Sequence, residues 1–328
     1  GAFGRSILGH GTFGAVFLVR CSAGGPSLAL KVVSKVLLAE QDVQHAAVNE
    51  RLVLAESSSP FLVQLQATCE TRRFCYFVLE AALGGNLLTV YALYGLTGLE
   101  AHARFYAACV LNALEHLHER GWAYRDLKTE NLVLDACGYG KLCDFGTAKR
   151  LSASEQQLTH TVCGTLEYMA PEIFRGHGYS FPADWWALGV YELLVGETPF
   201  GAEDDAEVFA RMRGGIEAAP FPPGAASWPD LVRGLCRQDP GGRLPMLGGG
   251  ATNVREQAWF ATAGFDWAAH QQRLVPPPHV PDVRGPEDLR NFSPQERDLP
   301  GGLELAMLGA GFRSEEHAPS ARGWSCLL

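Results

Sequence analysis

The sequence has no CxxC pair, no apolar run of membrane-spanning length and little positive charge, and each shortage narrows what the chain can be. Nine cysteines, an odd number scattered through 328 residues, do not read as a disulfide framework or a zinc module. They read as reduced thiols of a cytoplasmic protein. The absence of a long apolar run argues against a membrane span, and no charged-then-apolar leader opens the chain. A formal net charge of −9 argues against a general nucleic-acid binder and suits partners carrying positive charge, such as a basic protein substrate. The ending Ser325-Cys326-Leu327-Leu328 sets cysteine third from last, which is not a prenylation box. Gly1 rather than Met opens the chain, close to a motif, so the sequence reads as a piece of something longer.

What is present is a globular composition, 47% hydrophobic and 19% charged, enough to bury a sizeable core. Short apolar runs at Ala15–Val19 and Leu28–Val33 flank the turn-rich Ser22-Ala23-Gly24-Gly25-Pro26 and read as strands. A helical pattern spans Val43 to Ala55, with Val48, Leu52 and Ala55 on one side. Cys75–Glu80 reads as a strand running into Gly84-Gly85. Beyond it the periodicity is mostly helical, with a long amphipathic pattern from Glu100 to Arg120 that ends at Gly121. Strands first and helices after predict an α+β chain in two lobes. From Val275 onward proline and glycine are dense, which predicts an extended tail packed over the surface and disordered towards its end. No internal repeat is present.

Gly9-His10-Gly11-Thr12-Phe13-Gly14-Ala15-Val16 is a GxGxxGxV segment, in which missing Cβ atoms let backbone N–H groups approach phosphate oxygens. By itself it also fits a dinucleotide-binding turn or an ordinary hairpin. Strands on both sides argue against the strand-turn-helix of a dinucleotide fold. Lys31 sits mid-strand, where a buried ammonium needs an anionic partner, and Glu50 on the next helix is a suitable one. Either residue taken singly could be a plain surface charge. Then come Tyr124-Arg125-Asp126-Leu127-Lys128-Thr129-Glu130-Asn131, Asp144-Phe145-Gly146 and Ala170-Pro171-Glu172, in that order. These match the catalytic loop, the metal-binding triplet and the activation-segment end of protein kinases.

The resemblance covers nearly the whole chain. Cys163 to Glu172, Ala183-Asp184-Trp185-Trp186-Ala187-Leu188-Gly189 and Arg273-Leu274-Val275-Pro276-Pro277 are similar to the cyclic-nucleotide-dependent and related (AGC) serine/threonine kinases. Tyr168-Met169, Asp144 to Arg150 and Gly323-Trp324 look most like cGMP-dependent protein kinases of protist or algal type, with the cAMP-dependent kinases close in the same motifs. The resemblance implies a bilobal fold, with residues 1–80 as the N-lobe, 81–85 as a hinge, 86–270 as the C-lobe and 271–328 as the tail. ATP and Mg2+ would be the cofactors. Gly9, Gly11 and Gly14 would cover the phosphates, and Lys31, held by Glu50, would reach the α and β groups. Asn131 and Asp144 would hold magnesium through oxygen. Asp126 would orient the hydroxyl and accept its proton, with Lys128 on the γ-phosphate. Lys128 and Thr165 imply a serine or threonine target. Adenine would lie between Val16, Ala29 and Val133, against Glu80-Ala81-Ala82, with Leu79 as gatekeeper and Phe292 as lid. Each of these apolar residues is equally plain core. Thr161 would carry an activating phosphate paired with Arg125 and Lys149; it could also be an exposed loop threonine. Glu172 and Arg243 would form a buried ion pair onto a later helix. Glu130, Glu167 and Glu192 would read basic residues upstream of the target, and Val162, Leu166 and Met169 would form an apolar slot for the residue after it. A cyclic-nucleotide-binding region would lie outside this chain.

The chain departs from the resemblance at four places. Asn86 stands where relatives carry a glutamate, and Thr129 where they carry proline. The tail keeps Phe292 but lacks the acidic and tyrosine residues expected after it. Trp186 to Glu192 is about two residues short between Val190 and Tyr191, which on a regular helix would turn everything downstream by roughly 200°. Glu192 would then point elsewhere, or a bulge would absorb the loss. The alternatives are a cAMP-type or other AGC kinase, a catalytically impaired scaffold, and a small-molecule phosphotransferase of related fold. Intact Lys31, Asp126, Asn131 and Asp144 weigh against the scaffold, and the activation segment and tail weigh against the phosphotransferase.

Overall fold

The computed structural model describes residues 7–20, 25–151, 158–225 and 227–293. The sequence features assigned to residues 294–328, Gly323-Trp324 and the tail's end among them, lie outside these. Five strands form one antiparallel sheet in the order β1-β2-β3-β5-β4: β1 Ile7–Gly11, β2 Gly14–Arg20, β3 Ser27–Ser34, β4 Leu65–Glu70 and β5 Phe74–Glu80. The period of two sorts their side chains cleanly. Ala15, Phe17, Leu30, Val32, Tyr76 and Val78 close a small core on one face. Ala29, Val33, Phe77 and Leu79 join the main core on the other. Lys31 shares that second face, opposite Val16 on β2 and Phe77 on β5.

Two helices follow β3, α1 Lys35–Glu40 and α2 His45–Glu56. The buried side of α2 differs from the one its apolar pattern predicts. Glu50, Val53 and Leu54 face inward, while Val48 is 51% exposed and Ala55 is exposed. An i, i+3, i+4 set that includes a glutamate is a poor apolar stripe. The ion pair of Glu50 with Lys31 fixes the helix's rotation instead.

The helical lobe consists of α3 Leu87–Tyr94, α4 Glu100–Glu119, α5 Pro171–Phe174, α6 Pro182–Trp186, α7 Val190–Val195, α8 Asp205–Gly214, α9 Trp228–Leu235, α10 Thr252–Arg255, α11 Ala258–Ala261 and α12 Trp267–Gln271. Short strand pairs carry the loops between them: β6 Trp122–Ala123 with β9 Lys149–Arg150, and β7 Leu132–Leu134 with β8 Gly140–Leu142. Asn86 caps α3, its Oδ1 accepting from Thr89 N at 2.8 Å, so this departure serves the helix start. α4 is the central rod, with Leu111, Leu114 and Leu117 fully buried. The main core runs without a break from the sheet through Leu62, Leu142 and Phe145 into α4, α7 and α9.

After α12 the chain crosses back over the helical lobe to the hinge. Arg273 pairs with Asp135, and the Tyr139 hydroxyl donates to Val275 O. Asn291 is fully buried; it donates to Leu83 O at 3.2 Å and accepts from the Tyr94 hydroxyl at 3.2 Å. Phe292 packs on Leu18 and Leu83, beside Leu8.

Candidate active site

β3, α2 and the segment after β8 converge on one cation. Lys31 Nζ lies 2.6 Å from Glu50 Oε1 and 2.8 Å from Asp144 Oδ1. Burial by itself would push the ammonium down, but Asp144 and Glu50 reverse this and hold the Lys31 pKa above its ordinary value. The Lys31 charge pulls Asp144 below the usual carboxylate range. Burial pushes Glu50 up, against the pull of Lys31, because two carboxylates share one cation. The Asp144 side chain is half exposed and faces the cleft.

The second group stands on the loop after β6. Asp126 Oδ1 accepts from Thr165 Oγ1 at 3.2 Å; its Oδ2 lies 3.2 Å from Lys128 Nζ and accepts from Asn131 Nδ2 at 3.0 Å. Lys128 Nζ donates to Thr165 Oγ1 at 2.9 Å. Arg125 and Asp144 both hold positive φ, 72° and 53°, an arrangement that costs about 1–3 kcal/mol each and persists only where the surroundings enforce it. Asp184 supplies the enforcement for Arg125. Its buried carboxylate accepts from Arg125 N at 2.7 Å and Tyr124 N at 2.9 Å, and is bonded to His118 Nε2 at 2.7 Å. Sequence reading passed over this residue as a motif letter. The signal was a carboxylate set among Ala183, Trp185 and Trp186.

The apolar residues expected around adenine pack against one core. Ala29 and Leu79 are buried and stand opposite each other on β3 and β5, and Val16 and Val133 pack half-buried against the same core. The Glu80 side chain turns under the hinge, where Oε1 accepts from Gln64 N and the buried Lys141 Nζ, both at 2.8 Å. Ala82 is half-buried beyond it. The three glycines differ in cause. A Cβ on Gly14 would meet Val32 O at 1.8 Å, so packing demands that glycine; Gly9 and Gly11 have nothing within 4 Å of an added Cβ and leave their strand open towards the cleft.

The structure does not bring Thr161 onto Arg125. Thr161 is exposed, and its carbonyl accepts from the Tyr179 hydroxyl at 2.6 Å. Arg125 Nη1 instead donates to Thr159 Oγ1 and to the Tyr179 hydroxyl, both at 3.3 Å, and its Nε to Thr147 O. Lys149 is half-buried on β9, opposite Ala123. The Glu172–Arg243 pair is bidentate, with both contacts 2.7 Å and Arg243 fully buried. Arg243 stands between two 3-10 turns, Pro240–Gly242 and Leu244–Met246, rather than on a helix. Of the apolar trio, Met169 is buried and Leu166 half-buried, but Val162 is 56% exposed and takes no part in their packing.

The short segment before Tyr191 is absorbed by breaking the helix. α6 stops at Trp186, Gly189 takes φ +75°, and α7 restarts at Val190. A left-handed residue resets the helix direction, so the expected rotation of Glu192 does not occur. Glu192 Oε1 accepts from Thr129 Oγ1 at 2.9 Å, and the same hydroxyl lies 3.4 Å from Glu130 Oε2. Glu167 accepts from Thr198 Oγ1 at 2.8 Å nearby. Burial, with Glu130 and Glu167 beside it, pushes the Glu192 carboxyl up to about 7, against the hydroxyls of Tyr168 and Thr129.

A small sheet carrying a salt-bridged lysine, above a helical lobe carrying an aspartate, an asparagine and a second aspartate at one crevice, is the architecture of a phosphotransferase acting on a nucleotide. Residues 4–260 match the family described as protein kinase domain. The chain belongs to that family. It is 39% identical over 300 residues to human cGMP-dependent protein kinase 2, and 40% over 303 residues to cGMP-dependent protein kinase egl-4 of Caenorhabditis elegans. A Drosophila melanogaster relative, cGMP-dependent protein kinase, isozyme 1, is 38% identical over 299 residues. Each match takes in 90% of this chain, but the chain spans only 38–39% of the length of these relatives.

Proposed function

We propose that the chain transfers the γ-phosphoryl group of ATP to serine or threonine hydroxyls of proteins with basic residues upstream of the target. The observation that carries this reading is the meeting of Lys31, Glu50 and Asp144 at one end of a crevice and of Asp126, Lys128, Asn131 and Thr165 at the other. Phosphoryl transfer asks little covalent work of a protein, so positioning and charge neutralisation are what its side chains must supply.

Lys31, held by Glu50, neutralises the α- and β-phosphates. Asp126 orients the acceptor hydroxyl and takes its proton, and Lys128 neutralises the γ-phosphate. Thr165 holds both Asp126 and Lys128 in line. Val16, Ala29, Leu79 and Val133 enclose the adenine against Glu80 and Ala82, with Phe292 closing the mouth.

The residues at the crevice fit Mg2+, a hard cation that keeps several waters and phosphate oxygens. Asp144 is held ionised by Lys31. Asn131 commits its Nδ2 to Asp126, so its amide oxygen is the atom presented to a cation. No group of three or more His, Cys, Asp or Glu able to hold a metal exists among the described residues, so triphosphate oxygens would complete the shell. When bound, the cation screens charge between the β- and γ-phosphates.

Glu130, Glu167 and Glu192 read basic side chains on the substrate, and Leu166 and Met169 receive an apolar residue after the target. A phosphate on Thr161 draws the segment onto Arg125 and Lys149; Thr161→Ala at full activity would refute that part. In the parent protein cGMP controls the cleft through a region outside this chain, a reading supported by the relatives' names and greater length, and tested by assaying the parent with and without cGMP. Dependence on ATP fits a cytoplasmic setting. Among the described residues no helix is long and apolar enough to cross a membrane.

The test is transfer of radiolabelled γ-phosphate to a serine peptide carrying upstream arginines, beside its tyrosine counterpart. Magnesium-dependent labelling of the serine peptide is expected, with Asp126→Asn lowering kcat by roughly 10²–10⁴-fold. No labelling, or an unimpaired Asp126→Asn, would overturn the proposal.

A further inference from the structure

The break between α6 and α7 leaves Glu192 weakly supported by its own helix. α7 has six residues and lies between two left-handed glycines, Gly189 and Gly196. A helix this short has little stability of its own and holds a direction only through its contacts. Around the break lies a small cavity of about 30 Å³, lined among others by Trp186, Leu188, Gly189, Val190 and Glu192. Two polar atoms of these lining residues, Trp186 Nε1 and Glu192 Oε2, are buried without a hydrogen-bond partner among the described residues. Oε2 thus gains no hydrogen bond in its present position. Glu130 and Glu167 lie close enough to repel it once it is ionised. Once ionised, Glu192 would relax towards the cavity unless something held it at the catalytic loop.

Thr129 supplies that hold from the catalytic loop, with the Tyr168 hydroxyl beside it. It is buried, it lies between Asp126 and Asn131, and its hydroxyl donates to Glu192 Oε1 at 2.9 Å. A residue without a side-chain hydroxyl at this position could not make the bond. We infer that Thr129 is a positioning residue for substrate selection: its hydroxyl ties Glu192 to the catalytic loop across the helix break. This rests on the substrate reading proposed above.

Three variants of the chain, Thr129→Val, Thr129→Ser and Glu192→Gln, decide the matter with two serine peptides that differ only by arginine or alanine at the upstream basic position. The quantity read is the ratio of kcat/KM for the arginine peptide to that for the alanine peptide. Thr129→Val is expected to lower this ratio about tenfold, the worth of one hydrogen bond to a charged group. Thr129→Ser should restore it, and Thr129→Val added to Glu192→Gln should lower it no further. Anisotropy of a labelled arginine peptide, with a non-hydrolysable ATP analogue present, should show the same loss in Kd without turnover. A fall in kcat/KM equal for both peptides would mean a structural role and overturn the inference, as would an unchanged ratio. If Thr129→Val does not fold, Thr129→Ser must keep the ratio and Glu192→Gln must lower it, or the inference fails. Absence of transfer by the unaltered chain would overturn the proposed function and this inference together, whereas transfer with an unchanged ratio overturns this inference only.

Discussion

Lys31 and Asp144, 113 positions apart, meet at 2.8 Å, with Glu50 at 2.6 Å on the same ammonium. One cation thus joins the sheet, the helix packed on it and the edge of the helical lobe.

Removing that cation has a defined effect. Lys31→Met leaves Glu50 and Asp144 facing each other without neutralisation, and phosphotransfer should fall by roughly 10²–10³-fold, the usual loss when a preorganised charge partner is deleted. Labelled phosphate incorporation, with near-ultraviolet circular dichroism confirming a packed fold, checks this.

Selection of arginine peptides should depend on pH near neutrality. With Glu192 at about 7, roughly a tenth of it is ionised at pH 6, so kcat/KM for an arginine peptide should rise about tenfold from pH 6 to 8. Glu130, Glu167, Tyr168 and Thr129 face the group. Glu192→Gln should flatten the profile. For folding the sign is opposite: a raised carboxylate stabilises below its unfolded value of 4.5, and that contribution is lost as pH climbs through 7.

Arg243 is fully buried against Glu172, donates also to Pro182 O and Arg237 O, and stacks 5.1 Å from the Trp186 ring centroid. Arg243→Met strands a buried carboxylate and should cost about 3–5 kcal/mol in denaturant unfolding. Arg233→Ala, which loses exposed pairs with Glu217 and Asp230 and a contact with the Phe221 ring, should cost only about 1–2 kcal/mol.

His270 is fully buried among Phe61, Phe105, Tyr139 and Phe265, near Cys109 and Asn112, and burial pushes its pKa down to about 4. The folded state refuses a proton that the unfolded chain takes below about 6.5, so stability falls with pH between those values, by about 1.4 kcal/mol per unit at most. Melting temperatures from pH 7 to 4.5 should drop more steeply for the unaltered chain than for His270→Gln. Parallel curves would show that His270 does not titrate in this way.

Much of the site could be read in advance because its chemistry needs particular residue types in a particular order. Lys31, Glu50, Asp126, Lys128, Asn131 and Asp144 were each recognisable by type and neighbours, and the structure gathers them. The strands around Val16 and Ala29 were legible by their alternation. What escaped was relational. Asp184 holds the catalytic-loop backbone from 58 residues beyond Asp126, Thr159 rather than Thr161 meets Arg125, and the buried side of α2 follows an ion pair rather than an apolar stripe.

The sequence by itself determined which groups were available: a lysine in a strand, a glutamate on a helix, two aspartates and an amide after it, and a glycine, Gly14, where no side chain fits. Those are local properties, set by residue type and spacing. Only the tertiary structure decided that a shortened helix would break at Gly189, that Glu192 would still face the catalytic loop, and that the Thr129 hydroxyl would be its anchor. A hydrogen bond of 2.9 Å between positions 129 and 192 depends on how the intervening chain packs, and packing is a property of the whole core rather than of any one segment.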